Sequence, residues 1–272
     1  MLPSPTSWRA AALALAVSLL PLAATPAVAQ KKAPNGTKVL LLSGGQRQHH
    51  GYREQALYLA GALEDTGRYE VTIAEDAALL LTPAMAKYDL IVVNADRRDP
   101  EFKFTREQQE ALLNWVRAGH GYVSIHGADN AAPDWVPAWR DMLGGVFTHV
   151  GLPDGKTRKG TYLIKIADTD HPITKGLSDF ELKDELYYHM QMRPGVEPLA
   201  TTEFDKTAWP VAWTRTYGQG RVFHTPLGHR DFGPKKDDPL ANPNLLKLVI
   251  QGIDWVAAGK AGASPGSTGG AK

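Results

Sequence analysis

Three stretches of this chain are apolar almost without a break and too short to be helices: KVLLLSG at 38–44, YDLIVVN at 88–94 and GYVSIH at 121–126. Runs of that length and composition fit strands buried on both faces. Helical periodicity fills the gaps. Ala56, Leu59, Ala60 and Leu63 share one helical face, and Ala111, Leu112, Trp115 and Val116 share another, which places Trp115 in the core. Thr105-Arg-Glu-Gln108 has the form of a capping box, and Thr82-Pro83 reads as an N-cap followed by proline at the first helical position. Tyr69 to Ile73 alternates as a strand. Four strand-helix alternations in succession imply an open, mostly parallel α/β sheet with right-handed crossovers and helices on both faces.

The second half reads differently. Residues 160–167 alternate in the half-buried manner, 171–177 form a turn, and Phe180 to His189 is a short stretch rich in acids and tyrosines. Pro210 to Arg215 and Gly220 to Thr225 flank a Tyr-Gly-Gln-Gly turn, so a β-hairpin is added to the sheet. A last helix over about 242–258 buries Leu245, Leu248, Val249, Ile253 and Trp255.

Composition narrows the function. A formal net charge of +1 argues against a nucleic-acid or membrane-surface role. With no cysteine, thiolate chemistry, thiolate metal ligands and disulfides are all excluded. Arg9, the apolar run 10–20 and the small residues Ala27-Val-Ala29 read as a secretory signal over 1–29 cut after Ala29, so the mature protein is expected in the periplasm or outside the cell. A linker over 30–37, one domain over 38–260 and a Gly/Ala/Ser-rich disordered tail over 261–272 complete the expected organisation.

In an open α/β sheet, ligands collect beyond the carboxyl ends of the strands, and the strand 121–125 delivers His126 to such a place. A turn histidine held by backbone groups is the bland alternative. The loop 44–51 adds His49 and His50, and it matches neither the Walker nor the dinucleotide glycine spacing. Of nine histidines, His49, His50, His126, His149 and His229 fall at loop or strand-end positions beside glycines. Histidines with a carboxylate suit a Zn-type divalent ion. In an extended segment, Glu185 and Tyr187 face one way and Asp184 and Leu186 the other, so a carboxylate and a phenol are presented together. His120 reads as a helix-end dipole partner, His171 as a turn residue and Arg221 as packing.

Taken in order, Gly44-Gly with His49-His50, the 121–126 strand end, Phe147-Thr-His149, the 170–176 segment, Asp184-Glu-Leu-Tyr187, Pro210-Val-Ala-Trp213, 218–223 and Leu227-Gly-His229 resemble the trehalose-utilisation (ThuA-like) family. The resemblance implies a fold related to class I glutamine amidotransferases, with His126 where those enzymes carry their cysteine, so amidotransfer by that chemistry is excluded. Around Ser124, Tyr122 and His126 occupy the glycine positions of a serine elbow, which argues against a serine hydrolase. The resemblance further implies sugar metabolism beside a partner sugar dehydrogenase that oxidises a glycoside at its 3-hydroxyl. The resulting expectation is elimination and hydration of a 3-keto-glycoside, with His126 and Glu185 catalytic. His49, His50, Tyr187, Trp213 and His229 would bind substrate, and His126, His149 and His229 would hold a divalent metal. A noncatalytic carbohydrate-binding protein and a hydrolase of another small polar substrate remain the alternatives.

Overall fold

The computed structural model describes residues 36–45, 49–97, 103–130, 135–147, 155–234 and 236–261. The expected signal segment 1–29, most of the linker, His149 and nearly all of the tail lie outside the described residues. The elements are β1 (Thr37–Gly45), α1 (Tyr52–Asp65), β2 (Tyr69–Ala74), β3 (Leu90–Asp96), α2 (Arg106–Arg117) and β4 (Gly121–Ile125). They continue with α3 (Pro137–Leu143), β5 (Gly145–Val146), β6 (Lys156–Ile166), β7 (Phe180–Tyr188) and β8 (Gln191–Met192). The last are β9 (Pro198–Phe204), β10 (Thr207–Tyr217), β11 (Gly220–Thr225) and α4 (Pro243–Ala261).

Local signals act where the sequence places them. The Thr105 hydroxyl accepts from the Gln108 amide at 3.2 Å while the Gln108 side chain accepts from the Thr105 amide at 2.9 Å, closing the capping box. Thr82 also caps, accepting from the Ala84 amide, but the element it opens is a five-residue 3-10 helix, Pro83–Lys87. The buried stripe of α2 is Gln108, Gln109, Leu112, Leu113 and Val116. Trp115 therefore lies at the edge of the core, only partly buried, stacked on the His120 ring with centroids 4.0 Å apart. Trp255 is likewise half-buried, with the Arg221 guanidinium 4.7 Å above its ring.

Nine strands form one sheet in the order β2-β1-β3-β4-β11-β10-β9-β6-β7. The first five are parallel neighbours, and from β11 onward every neighbour is antiparallel. The expected hairpin is β10–β11, and it forms the join between the two halves. Along β1, Val39 and Leu41 enter one core layer while Leu40 and Leu42 enter the other. α1 and α4 cover the first face, and α2 and α3 cover the second. This is the period-two division that an uninterrupted apolar strand requires.

β7 lies five strand positions from β4, which in a flat sheet would separate them by about 24 Å. Yet the Tyr187 hydroxyl stands 3.1 Å from the His126 ring. The antiparallel half therefore coils back over the carboxyl edge of the parallel half. That coiling makes a site.

α4 packs against β11 through a close approach at Gly252, where an added Cβ would come within 2.2 Å of the Phe223 ring. Gly252→Ala should destabilise the fold by about 1–3 kcal/mol through overpacking, only partly offset by about 1 kcal/mol of better helix propensity. A urea melt reads the change. An unchanged midpoint would mean that the Phe223 ring moves aside freely.

Candidate functional site

His126 ends β4 and opens a 3-10 turn, His126–Asp129, with a φ of +49°. A non-glycine residue in that region is strained by about 1–3 kcal/mol and is held only where its surroundings insist. Its side chain is wholly buried. Nδ1 lies 2.9 Å from the Pro226 carbonyl, which can only accept, so Nδ1 carries a proton and Nε2 points into the cluster.

Three groups meet that Nε2: the His229 Nδ1 at 2.9 Å, the Tyr187 hydroxyl at 3.1 Å and the Glu185 Oε2 at 3.7 Å. Glu185 Oε2 is also 3.1 Å from His229 Nδ1, and the other nitrogen of His229 lies 3.0 Å from Asp231 Oδ1. His50 completes the group. Its ring centroid is 4.7 Å from that of His229 and 5.3 Å from that of His126, and it stacks on Tyr52.

Each element is fixed by backbone bonds. Glu185 and Tyr187 are alternate residues of β7 and face the cluster, as the extended reading requires. Asp184, on the opposite face, is buried and accepts from the amides of Gly228 at 2.7 Å and His229 at 2.9 Å. It thus ties β7 to the loop after β11. The Gly51 amide donates to the Arg230 carbonyl at 2.8 Å, and a Cβ at Gly51 would collide with the Arg230 guanidinium. Behind it, the Gln55 amide donates to the Gly228 carbonyl at 3.0 Å and to Asp238 at 2.7 Å. The His50 segment and the His229 segment are therefore held as one unit.

The charges depend on this arrangement. Burial works against the ionised form of Glu185, but the hydrogen bond and charge of His229, with Thr157 and His50, hold its carboxyl below the usual range. Burial likewise opposes protonation of His229, and Glu185 and Asp231 outweigh it, raising the imidazole above its ordinary value. Asp231 is drawn down to about 2, chiefly by Lys159. Burial pushes the Asp184 carboxyl up to about 7, against the backbone amides of Gly228, Glu185 and His229, which favour its ionised form.

A cleft of about 460 Å³, lined by Lys159, Thr161, Glu185, His229 and Asp231 among others, opens onto the cluster. A second hollow of about 200 Å³ includes His50, Tyr52 and Phe232. The first falls within the size range of small-molecule sites, about 300–1,000 Å³.

Of the residues expected from sequence, His50, His126, Glu185, Tyr187 and His229 converge. His49 is exposed beside them and lies outside the cluster of candidate metal ligands. Trp213 is corrected: it is wholly buried, donates to the Leu143 carbonyl at 2.8 Å and packs on the His224 ring, so it supports the fold and does not line the cleft. The expected metal trio included His149, which is outside the described residues. The described ligand atoms within 4.8 Å of one another belong to His50, His126, Glu185 and His229.

The sequence placed Asp184 on the opposite face without its role as a tie, and it passed over Asp231, Phe232 and the buried pair His224–Asp129, 3.2 Å apart beneath the elbow. An aspartate on the apolar face of a strand and the spacing His229-x-Asp231 were the available signals.

A strand-end elbow in an open, mostly parallel α/β sheet thus carries a histidine that faces a histidine–carboxylate cluster. The ThuA family, described as trehalose utilisation, matches residues 38–256, and the chain belongs to that family. A ThuA-like protein from Parabacteroides merdae shares the fold at 24% identity, covering 83% of this chain and 91% of its own, with a TM-score of 0.69. A ThuA-like protein from Bacteroides uniformis does so at 19% identity, over 82% and 93%, with a TM-score of 0.63. A cytoplasmic protein from Salmonella typhimurium follows at 15% identity, over 80% and 98%, with a TM-score of 0.57. No curated protein matches the chain.

Asp184→Asn replaces one accepting oxygen by an N–H donor facing backbone amides. The substitution should cost about 1–3 kcal/mol and shift the amide resonances of Gly228 and His229. Unperturbed resonances and an unchanged denaturation midpoint would remove Asp184 from its role as the tie.

Proposed function

We propose that this chain is an exported carbohydrate-active enzyme that transforms a 3-keto-glycoside, such as an oxidised trehalose-type disaccharide, by elimination and hydration. One observation carries the reading: a carboxylate, two imidazoles and a phenol meet at the floor of a polar cleft, in a family described as trehalose utilisation, without a cysteine nucleophile.

The chemistry follows from the ketone. A carbonyl at C3 acidifies the C2 proton, and a base removes it. The released electron pair forms the C1–C2 double bond as the C1–O bond breaks, and the leaving oxygen takes a proton. Water then adds at C1 while a proton returns to C2. This route needs an acid/base pair and not the paired carboxylates of ordinary glycosidases.

Glu185, with 15% of its side chain exposed, faces the cleft, whereas His126 is wholly buried behind it. Glu185 is therefore the member that exchanges a proton with substrate, and His126 with Tyr187 forms the proton-transfer set at its back. Asp231 and Lys159, paired at 2.5 Å, offer polar contacts to sugar hydroxyls at the rim. Phe232, 55% exposed, borders the second hollow beside His50 and Tyr52 and offers an apolar face to a sugar ring that extends past Asp231. The 3-keto substrate must come from oxidation of a 3-hydroxyl, which is the work of a partner sugar dehydrogenase. Export rests on the 1–29 segment with its small residues before Gln30.

Release of monosaccharide from a panel of disaccharides and their 3-keto forms tests the reading. The 3-keto forms should turn over and the parent sugars should not. Glu185→Gln should lower kcat by about 10²–10⁴-fold with the fold retained, and His126→Ala, at the strained elbow, should lower it at least as far. Retained activity in His126→Ala would sink the assignment. Saturable sugar binding without turnover of any form would make this a binding protein. Phe232→Ala should raise KM by about two- to tenfold and leave kcat near its starting value; an unchanged KM removes Phe232 from the sugar site.

A further inference from the structure

We infer that His50, His126, Glu185 and His229 form a binding site for one first-row divalent transition ion of the Zn²⁺ type. All four offer ligand atoms that lie within 4.8 Å of one another. Two features distinguish this group from a chance gathering of polar side chains.

The first is the direction of the lone pairs. The outer nitrogen of His126 donates to the Pro226 carbonyl, and the outer nitrogen of His229 faces the Asp231 carboxylate at 3.0 Å. With its outer nitrogen donating, the His126 ring turns a lone pair inward, and the His229 ring does the same once the proton on its inner nitrogen is displaced. The two inner nitrogens stand 2.9 Å apart, with the Glu185 oxygen 3.1 Å from one and 3.7 Å from the other. Two imidazole nitrogens and a carboxylate oxygen facing one another call for a positive centre between them, and a metal ion can take the place of the proton that otherwise bridges them. Anchoring of the outer imidazole nitrogen to a carbonyl or carboxylate is also how metal-binding histidines are held in orientation.

The second feature is spacing. Ligand atoms about 2.0–2.2 Å from an ion stand about 3 Å apart at right angles and about 3.4 Å apart in a tetrahedron. The three separations in the cluster bracket those values. Glu185 and His229 also line the cleft, so an ion has a path in from solvent and a side open to substrate. Three imidazoles to one carboxylate favour Zn²⁺ and its neighbours over Mg²⁺ or Ca²⁺, which take oxygen ligands. Binding of the ion does not depend on the glycoside reading. Its use does, since an ion here would supply the electrophile that a developing enolate needs, and Glu185 would then exchange its proton through the carboxylate oxygen that does not hold the ion.

The test is calorimetric titration of the tag-free full chain, stripped by chelator, with ZnCl₂ and separately with MgCl₂. Zn²⁺ should bind at one ion per chain and raise the melting temperature, and Mg²⁺ should do neither. His50→Gln and His229→Gln should each weaken Zn²⁺ binding by more than about tenfold, and Asp231→Asn, which keeps every ligand atom, by about 10–100-fold. His49→Gln should leave the affinity unchanged. Because substitution at the strained elbow also threatens the fold, His126 is read in the wild-type chain: the visible spectrum of Co²⁺ bound there should show four- or five-coordinate bands. No saturable Zn²⁺ uptake, or uptake unaltered by losing both His50 and His229, overturns the site. Keto-glycoside turnover by the ion-free chain would remove the ion's use while leaving the elimination reading intact; Zn²⁺ binding without turnover of any glycoside would do the reverse.

Discussion

Asp184 accepts hydrogen bonds from the amides of Gly228 and His229, and through them the last strand of the sheet is tied to a loop that leaves its centre. Three of the groups in the cluster depend on that tie. Glu185 and Tyr187 ride on the same strand as Asp184, one to three residues along, and His229 is itself one of the two amides held. A carboxylate wholly inside the protein is costly unless its oxygens are satisfied, and here backbone N–H groups satisfy them. The cost of burying the charge is thus converted into register between two distant parts of the chain.

The elbow at His126 is the second fixed point. Its left-handed backbone is maintained from above by the Pro226 carbonyl and braced from below by the buried His224–Asp129 pair, since Asp129 closes the same 3-10 turn. Strain of this kind persists where the surroundings over-determine it, and it clusters at functional sites. In this chain the device presents an imidazole, which leaves the choice between moving a proton and holding an ion to the groups that face it.

Those groups come from both halves of the sheet. The parallel half supplies His50, His126 and His229 at the carboxyl ends of β1, β4 and β11, the place where open α/β sheets gather ligands. The antiparallel half supplies Glu185 and Tyr187 by coiling over that edge. A parallel sheet alone would offer an open row of histidines. The coil adds a carboxylate, a phenol and a wall to the cleft.

Much of this was legible in the residues. Uninterrupted apolar runs determined the parallel strands, since a strand covered on both faces tolerates few polar positions, and the Thr105–Gln108 box and the Gly218-Gln219 turn marked a helix start and a hairpin through local hydrogen bonds alone. The same two-residue period put Glu185 and Tyr187 on one face and Asp184 on the other. Trp213 misled because a tryptophan beside a turn looks the same whether its indole N–H meets a ligand or, as here, the Leu143 carbonyl. Sequence by itself determined which residues lie at strand ends and which way each strand turns its side chains, because those follow from periods of two and 3.6. Only the tertiary structure decided that β7 meets β4 and that His50 joins Glu185 instead of standing in a solvated loop. Those contacts join residues 61 to 135 positions apart in the chain, and no local pattern records which of many possible long-range approaches the packed sheet will choose.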